Sequence, residues 1–326
     1  MVITRTPFRI SFFGGGTDYP AWYMNNGGGM AISTTIDKYC YVTARHLPPF
    51  FDHKYRIRYT RREERNSVDA IEHPSVRECM KYLNYIDHLE MVHTSDLPAM
   101  SGLGSSSAFT VGFLHSLHGL MGQKIRRLEL ALQAIHVEQN LIKENVGSQD
   151  QIATAHGGLN RIVFGADGIK VTPITLSMRK LRGLEKRLIL FFTGYQRFAS
   201  EIAVEQIKSI PDKTIELTAM MALARRAEKN LVAGRVDDFG ALLDEGWQIK
   251  KTLSSKITNP RIDEIYDRAK DAGAVGGKLL GAGGGGFMMF DAPPKKHPVI
   301  QTALKDFIHV PFHFEDSGSQ IIYKNI

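Results

Sequence analysis

Two glycines and three consecutive serines, Gly102-Leu103-Gly104-Ser105-Ser106-Ser107, stand between a strand-like run at 89–94 and an almost wholly apolar segment at 108–120. That segment is too long for a typical strand and reads as a buried helix. The order is therefore strand, Gly/Ser loop, buried helix. Glycines let a backbone approach a ligand closely, and hydroxyls and free N–H groups at a helix start favour phosphate. An ordinary turn with a serine N-cap explains any one of these residues, but poorly explains all of them ahead of an apolar helix. The loop is no Walker A motif, because the Gly277-Lys278 pair is followed by Leu279. Gly281-Ala282-Gly283-Gly284-Gly285-Gly286 matches GxGxxG, yet a strand-like run follows it, which argues against a dinucleotide fold.

The remainder of the chain bounds the class. Its 326 residues, 43% of them hydrophobic, suffice for two cores at about 100–200 residues per domain. Disorder and collagen are excluded by this composition. Cys40 and Cys79 are too few for a disulfide framework or a Cys-rich zinc site and fit a reducing, cytoplasmic setting. No signal-like start and no bilayer-length apolar run are present, so no membrane partner is expected. The net charge of +7 allows nucleic acid or small anions. In the most basic stretch, 54–65, Tyr55, Ile57 and Tyr59 alternate with Lys54, Arg56 and Arg58. This reads as a half-buried strand with a solvated cationic face rather than a nucleic-acid patch.

Residues 2–13 and 31–47 read as strands, and 125–145 as a helix carrying Leu128, Ala131, Leu132, Ile135 and Ile142 on its apolar stripe. A polar, basic stretch at 181–186 precedes a fresh apolar strand at 187–193, which sets the expected domains at 1–185 and 186–326. The second half reads as helices at 200–209, 213–232, 235–254 and 259–272, strands at 277–280 and 287–290, a helix after Pro294 and a strand near 310–314. Asn259 is a plausible N-cap with Pro260 at the first helical position. Strands paired with helices on one side suggest an α+β sandwich for this half.

Three further residues invite chemistry. Arg9, between Phe8 and Ile10, is a cation on an apolar strand and wants an anion. Asp150, in Gly147-Ser-Gln-Asp-Gln151, is a candidate partner, with a loop cap the equal alternative. Glu138 falls between Ile135 and Ile142 on the buried helix face. A carboxylate there needs a cation or a metal, and beside a phosphate loop it suits Mg²⁺.

With these residues in place, the chain resembles the GHMP sugar kinases, a family that includes galactokinase, homoserine kinase, mevalonate kinase and phosphomevalonate kinase. Its three motifs resemble residues 7–19, 98–108 and 278–288, in order. The resemblance implies a two-domain α+β fold, with an N-terminal domain like domain 2 of ribosomal protein S5, a ferredoxin-like C-terminal domain and ATP in the cleft between them. It implies that Ser101, Gly102, Leu103, Gly104, Ser105, Ser106 and Ser107 wrap the triphosphate. It further implies that Ser106 and Glu138 hold Mg²⁺, that Asp150 is the catalytic aspartate, and that Arg9 pairs with it. Gly15, Gly16, Thr17, Asp18, Gly283 and Gly284 fall on the substrate side.

Galactokinases carry Glu-His where this chain has Gly15-Gly16, which puts galactose in doubt. Gly-Gly-Gly-Thr-Asp-Tyr-Pro, residues 14–20, is similar to bacterial D-glycero-D-manno-heptose 7-phosphate kinases, with fucokinase-type enzymes more distant. The expected function is ATP-dependent phosphorylation of the anomeric hydroxyl of that heptose phosphate, or of another sugar. A substrate phosphate would need a cation, for which Arg197, Lys250 and Lys251 are candidates; solvated helix charge is the simpler reading of these. The implied partners are ATP and a small sugar phosphate, without nucleic acid, and with a homodimer left open.

Overall fold

Strand β1 (Val2–Phe13) has the span its pattern predicts. Side chains alternate across a strand, so Phe8 and Ile10 share one face while Arg9 and Ser11 share the other, up to the irregularity in the pairing at Phe12. All five are buried. The computed structural model describes residues 1–194 and 199–325, with side chains in the second stretch from 203 onward. After β1 come α1 (Pro20–Tyr23), β2 (Gly29–His46), β3 (Tyr55–Arg58), β4 (Arg62–Arg65), α2 (Pro74–Tyr82), β5 (Leu89–Ser95) and α3 (Ser105–Leu120). Next are α4 (Arg127–His136), α5 (Gln149–His156), β6 (Asn160–Gly165), β7 (Gly168–Pro173) and α6 (Met178–Glu185). The second half comprises β8 (Leu188–Phe192), α7 (Ala199–Ser209), α8 (Thr214–Val232), α9 (Phe239–Lys251), α10 (Pro260–Asp271), β9 (Gly276–Leu279), β10 (Phe287–Asp291) and α11 (His297–Ala303). It ends in β11 (Ile308–His309), β12 (Phe314–Glu315) and β13 (Gln320–Lys324).

The main path of a nine-stranded sheet runs β13-β1-β2-β5-β3-β4, with β12 and β6 also on β2 and β7 on β6. A four-stranded antiparallel sheet has the order β11-β8-β10-β9. Helix α3 is apolar on every side because it lies under β1 and β2 and against α4 and α5. The two halves are joined through α9, whose Phe239 meets Phe12 and Phe13 edge to face at 5.0 and 5.2 Å. As expected, α10 is capped by Asn259, whose side chain accepts from the backbone N–H groups of Arg261 and Ile262. The mixture of strands and helices is the α+β arrangement the sequence implied. Among the described residues no helix is long and apolar enough to cross a membrane.

Four expectations need correcting. The strand expected at the start of 54–65 is β3, which pairs with β4 as a hairpin, but its Arg56 is buried instead of solvated. Its guanidinium is 3.4 Å from Glu90 and 3.5 Å from Glu64. The helix expected over 125–145 ends at His136 and passes into a π-type turn over Val137–Leu141. Leu128 and Leu132 are exposed, and the buried face is Leu130, Ala131, Ala134, Val137 and Glu138. The helix expected at 235–254 is the shorter α9. The strand expected near 310–314 is two short strands in different sheets, because the chain crosses there from the second sheet back to the first. The last strand, β13, then pairs antiparallel with the start of β1.

Candidate active site

Gly104 caps α3 in the left-handed conformation, φ 75° and ψ 30°, with no side-chain cap. Glycine adopts that conformation at little cost. The first intrahelical bond runs from Ala108 N–H to the Gly104 carbonyl at 2.8 Å. The N–H groups of Ser105, Ser106 and Ser107 precede it and point out of the helix start, at the positive end of the dipole. A serine N-cap is not what forms; the Ser105 hydroxyl accepts from Met100 N at 3.1 Å. Gly102, Gly104, Ser105, Ser106 and Ser107 line a cleft of about 580 Å³. Ser101 and Leu103 are buried behind it. A Cβ on Gly102 would come 2.4 Å from the Leu280 carbonyl oxygen, and one on Gly281 would come 2.5 Å from the Gly102 Cα. The two glycine stretches therefore pack backbone against backbone.

Arg9 reaches this loop from β1. Its Nε donates to Asp150 Oδ1 at 2.7 Å, its Nη2 to Asp150 Oδ2 at 2.6 Å, and its Nη1 to the Gly102 carbonyl at 2.6 Å. The backbone N–H of Arg9 also donates to Leu103 O at 3.0 Å. Asp150 sits in the first turn of α5. Its side chain is 26% exposed, against 4% for Arg9, so the carboxylate faces the cleft while the guanidinium supports it from behind.

Glu138 is fully buried. Its Oε2 accepts from Ser107 Oγ at 3.0 Å and from Gln151 Nε2, while its Oε1 has no hydrogen-bond partner. Burial, with the Glu144 charge second, pushes its carboxyl up to about 7. A buried carboxylate oxygen without a donor, beside a phosphate-accepting helix start, suits a small hard dication. Ser106 is exposed to the cleft, and Ser107, rather than Ser106, bonds Glu138. The donors present therefore fit Mg²⁺.

Gly15, Gly16 and Asp18 also line the cleft, with Asp18 held beside Gln149, the neighbour of Asp150. Asp18 Oδ1 accepts from Gly16 N at 3.0 Å, and Oδ2 from Gln149 N at 3.4 Å. Burial first, then the charge of Asp150, raises its carboxyl to about 6. Thr17 does not face the cleft. It is buried, and its hydroxyl is spent on Gly14 O at 2.7 Å and on the Met30 backbone. Gly283 and Gly284 pack against Ile257 instead, and Gly281 and Ala282 take the place expected of them at the cleft. Arg197 lies outside the described residues.

The two lysine candidates for a substrate phosphate part company here, and further lining residues escaped the sequence reading. Lys250 is buried in the cleft wall, so it is not the solvated helix charge it resembled, whereas Lys251 is partly exposed, 4.0 Å from Asp263. Lys278 is buried beside it and donates to Ser11 O and Phe12 O at 3.0 and 2.8 Å. A lysine directly ahead of Leu279 and Leu280 in a strand-like run was the signal for it. Beyond the serine loop the cleft is walled by Tyr59, His73, His93 and Phe109. Tyr59 meets His73 at 4.7 Å, and His73 and His93 meet Phe109 at 4.8 and 5.1 Å. These four come from separate segments, so no local pattern announced them.

Phosphoryl transfer is the chemistry such a cleft can serve, since it demands little covalent participation and much positioned charge. Comparison with known proteins agrees. Residues 73–158 match the GHMP kinases N terminal domain, and residues 227–306 match the GHMP kinases C terminal domain. The chain is 31% identical, over 97% of its own length and 97% of the other's, to the D-glycero-alpha-D-manno-heptose 7-phosphate kinase of Campylobacter jejuni subsp. jejuni serotype O:2. It is 28% identical over 68% of its length to the L-fucokinase/L-fucose-1-P guanylyltransferase of Bacteroides fragilis, of which it covers 24%. The crystal structure of a D-glycero-D-manno-heptose 1-phosphate kinase from Bacteroides thetaiotaomicron has a TM-score of 0.78 at 24% identity, over 99% of this chain and 100% of that one. Lactococcus lactis galactokinase complexed with galactose has a TM-score of 0.75 at 19% identity, over 98% and 95%; these two likenesses speak for the fold. The chain belongs to the GHMP kinase family. It is a sugar kinase of that family, a phosphotransferase with an alcohol group as acceptor, and ATP is the family's phosphoryl donor.

Proposed function

We propose that the enzyme transfers the γ-phosphoryl group of ATP to the anomeric hydroxyl of D-glycero-D-manno-heptose 7-phosphate, giving the 1,7-bisphosphate on the way to a nucleotide-activated heptose. The observation that carries the reading is the two-pronged Arg9–Asp150 pair next to the serine-lined start of α3. The heptose acceptor is supported by the likeness to the C. jejuni enzyme. The likeness to a fucokinase favours another sugar 1-kinase as the second reading.

In this mechanism the 102–107 loop holds the triphosphate, with the base towards Tyr59, His73, His93 and Phe109. Asp18 takes acceptor hydroxyls, with Gly15 and Gly16 leaving room beside it. Asp150 accepts the proton of the attacking hydroxyl as the new P–O bond forms and the bond from Pγ to the bridging oxygen breaks, releasing ADP. Arg9 fixes the orientation of that carboxylate. Ser106 and Glu138 would hold Mg²⁺, which when bound offsets the charge of the phosphates. Residues 1–185 supply the nucleotide-binding unit and 186–326 the second unit, with β12 and β13 returning to the first sheet. The cytoplasm is the proposed setting, supported by two buried free cysteines, Cys40 and Cys79.

The test is ADP release across a panel of acceptors, with heptose 7-phosphate, free heptose and fucose compared. Heptose 7-phosphate should show the highest kcat/KM. A higher value for free heptose or fucose would overturn the acceptor assignment.

A further inference from the structure

Among the described residues, every hydrogen bond of the Lys250 and Lys278 ammonium groups goes to a main-chain carbonyl. Lys250 donates to Leu279 O at 3.0 Å and Gly281 O at 2.5 Å, and Lys278 donates to Ser11 O and Phe12 O. Among the described residues no carboxylate pairs with either. Two buried cations without counter-charge are costly, and an ammonium has three donors, so each keeps one N–H without an oxygen acceptor, with the Trp247 ring 6.0 Å from that of Lys250. Lys278 is turned towards β1. Lys250 is on the cleft wall with Arg9, Gly102, Gly281 and Asp150. It holds Gly281, Gly281 packs on Gly102, and Gly102 O accepts from Arg9. The remaining donor therefore lies one backbone layer from the catalytic pair.

We propose that Lys250 is an anion-receiving residue, whose ammonium binds a phosphoryl group at the seam between residues 281–282 and the serine loop. This rests on the kinase reading above. The phosphoryl group has two sources, the γ-phosphate of ATP and the phosphate an acceptor already carries.

The charged groups facing Lys250 are Arg9 from β1 and Lys278 from β9, with Asp18 and Asp150 across the cleft; Met220 of α8, Leu253 and Gln206 of α7 add none. Burial, then Arg9, draws its ammonium down to about 7. An arriving phosphate restores the charge, so binding takes up a proton and weakens as pH rises above neutrality.

The experiment compares wild type with Lys250→Met and Lys250→Arg. It measures kcat and KM for ATP, heptose 7-phosphate and free heptose. Calorimetry at about pH 7.5, in buffers of different ionisation enthalpy, measures proton uptake on binding Mg·AMP-PNP or heptose 7-phosphate. Lys250→Met should lose about 10- to 100-fold in kcat/KM, the value of a charge-assisted hydrogen bond. Lys250→Arg should recover most of it. Wild type should take up a fraction of a proton that Lys250→Arg does not.

A loss confined to heptose 7-phosphate, sparing free heptose, identifies the acceptor's phosphate. An equal loss with both, together with proton uptake on Mg·AMP-PNP, identifies the transferred group. Kinetic constants of Lys250→Met within twofold of wild type overturn the proposal, even if its melting temperature falls. If Lys250→Met does not fold, equal proton uptake by wild type and Lys250→Arg overturns it. Should wild type ignore heptose 7-phosphate, the acceptor reading fails, while the Mg·AMP-PNP arm still decides Lys250.

Discussion

Replacing Arg9 with lysine keeps the charge and removes the fork. Arginine satisfies three acceptors at once, both oxygens of Asp150 and the Gly102 carbonyl, at 2.6–2.7 Å. A lysine ammonium is a compact point charge and cannot span the same set. One or two charge-assisted bonds are lost, each worth about 1.5–3 kcal/mol. Asp150 is 26% exposed, so water replaces part of what is removed, and the lower end of each range applies. The net cost is then about 1.5–3 kcal/mol. Expressed in the transition state, that is about a 10- to 200-fold fall in kcat, at about 1.36 kcal/mol per factor of ten. Steady-state ADP release at saturating substrates measures it, with ATP affinity followed by direct titration. Affinity should change far less, because main-chain N–H groups and the helix dipole hold the phosphates. A kcat within threefold of wild type would refute the claim that the fork orients the base.

Asp150→Asn should lower kcat by about 10²–10⁴-fold while ATP still binds; normal turnover would exclude Asp150 as the base. Glu138 is raised from 4.5 to about 7 in the folded, metal-free protein, so the folded state binds the extra proton. Its contribution to stability is complete below about pH 4.5 and is lost as pH rises through 7. Melting temperatures in chelator should therefore fall with pH across that window more steeply for wild type than for Glu138→Gln; parallel curves would contradict this. Gly102→Ala places a Cβ 2.4 Å from Leu280 O at φ +82°, and should cost about 1–3 kcal/mol of stability and weaken ATP binding. An unchanged denaturation midpoint would show that the two glycine stretches do not need their close approach.

Arg9 and Asp150 were legible because a cation between Phe8 and Ile10 has few explanations, and the structure supplies the partner the sequence suggested. Glu138 was placed on the buried side for a partly mistaken reason. The buried face runs through Leu130, Ala131, Ala134, Val137 and Glu138 at ordinary helical spacing, so a stripe drawn through Leu128 and Leu132 lay off that face and pointed at solvent. Lys250 looked like one more charge on an exposed helix. The packing of α9 on β9 helps bury it, and that contact joins elements apart in sequence. Thr17, read as facing substrate, is instead the brace of its own turn through Gly14 and Met30. The aromatic end of the cleft is equally non-local, since Tyr59, His73, His93 and Phe109 meet only once the β3–β4 hairpin, α2, β5 and α3 are assembled.

The pairing of β13 with β1 has a consequence for biogenesis. Val2 meets Lys324 and Arg5 meets Gln320, so β1 waits for a partner strand made far later. At about 5–20 residues per second, its outer edge stays open for tens of seconds of synthesis on the ribosome. An uncovered strand edge is a template for adventitious pairing. Nascent chains stalled before residue 320 should accordingly depend on chaperones far more than released ones.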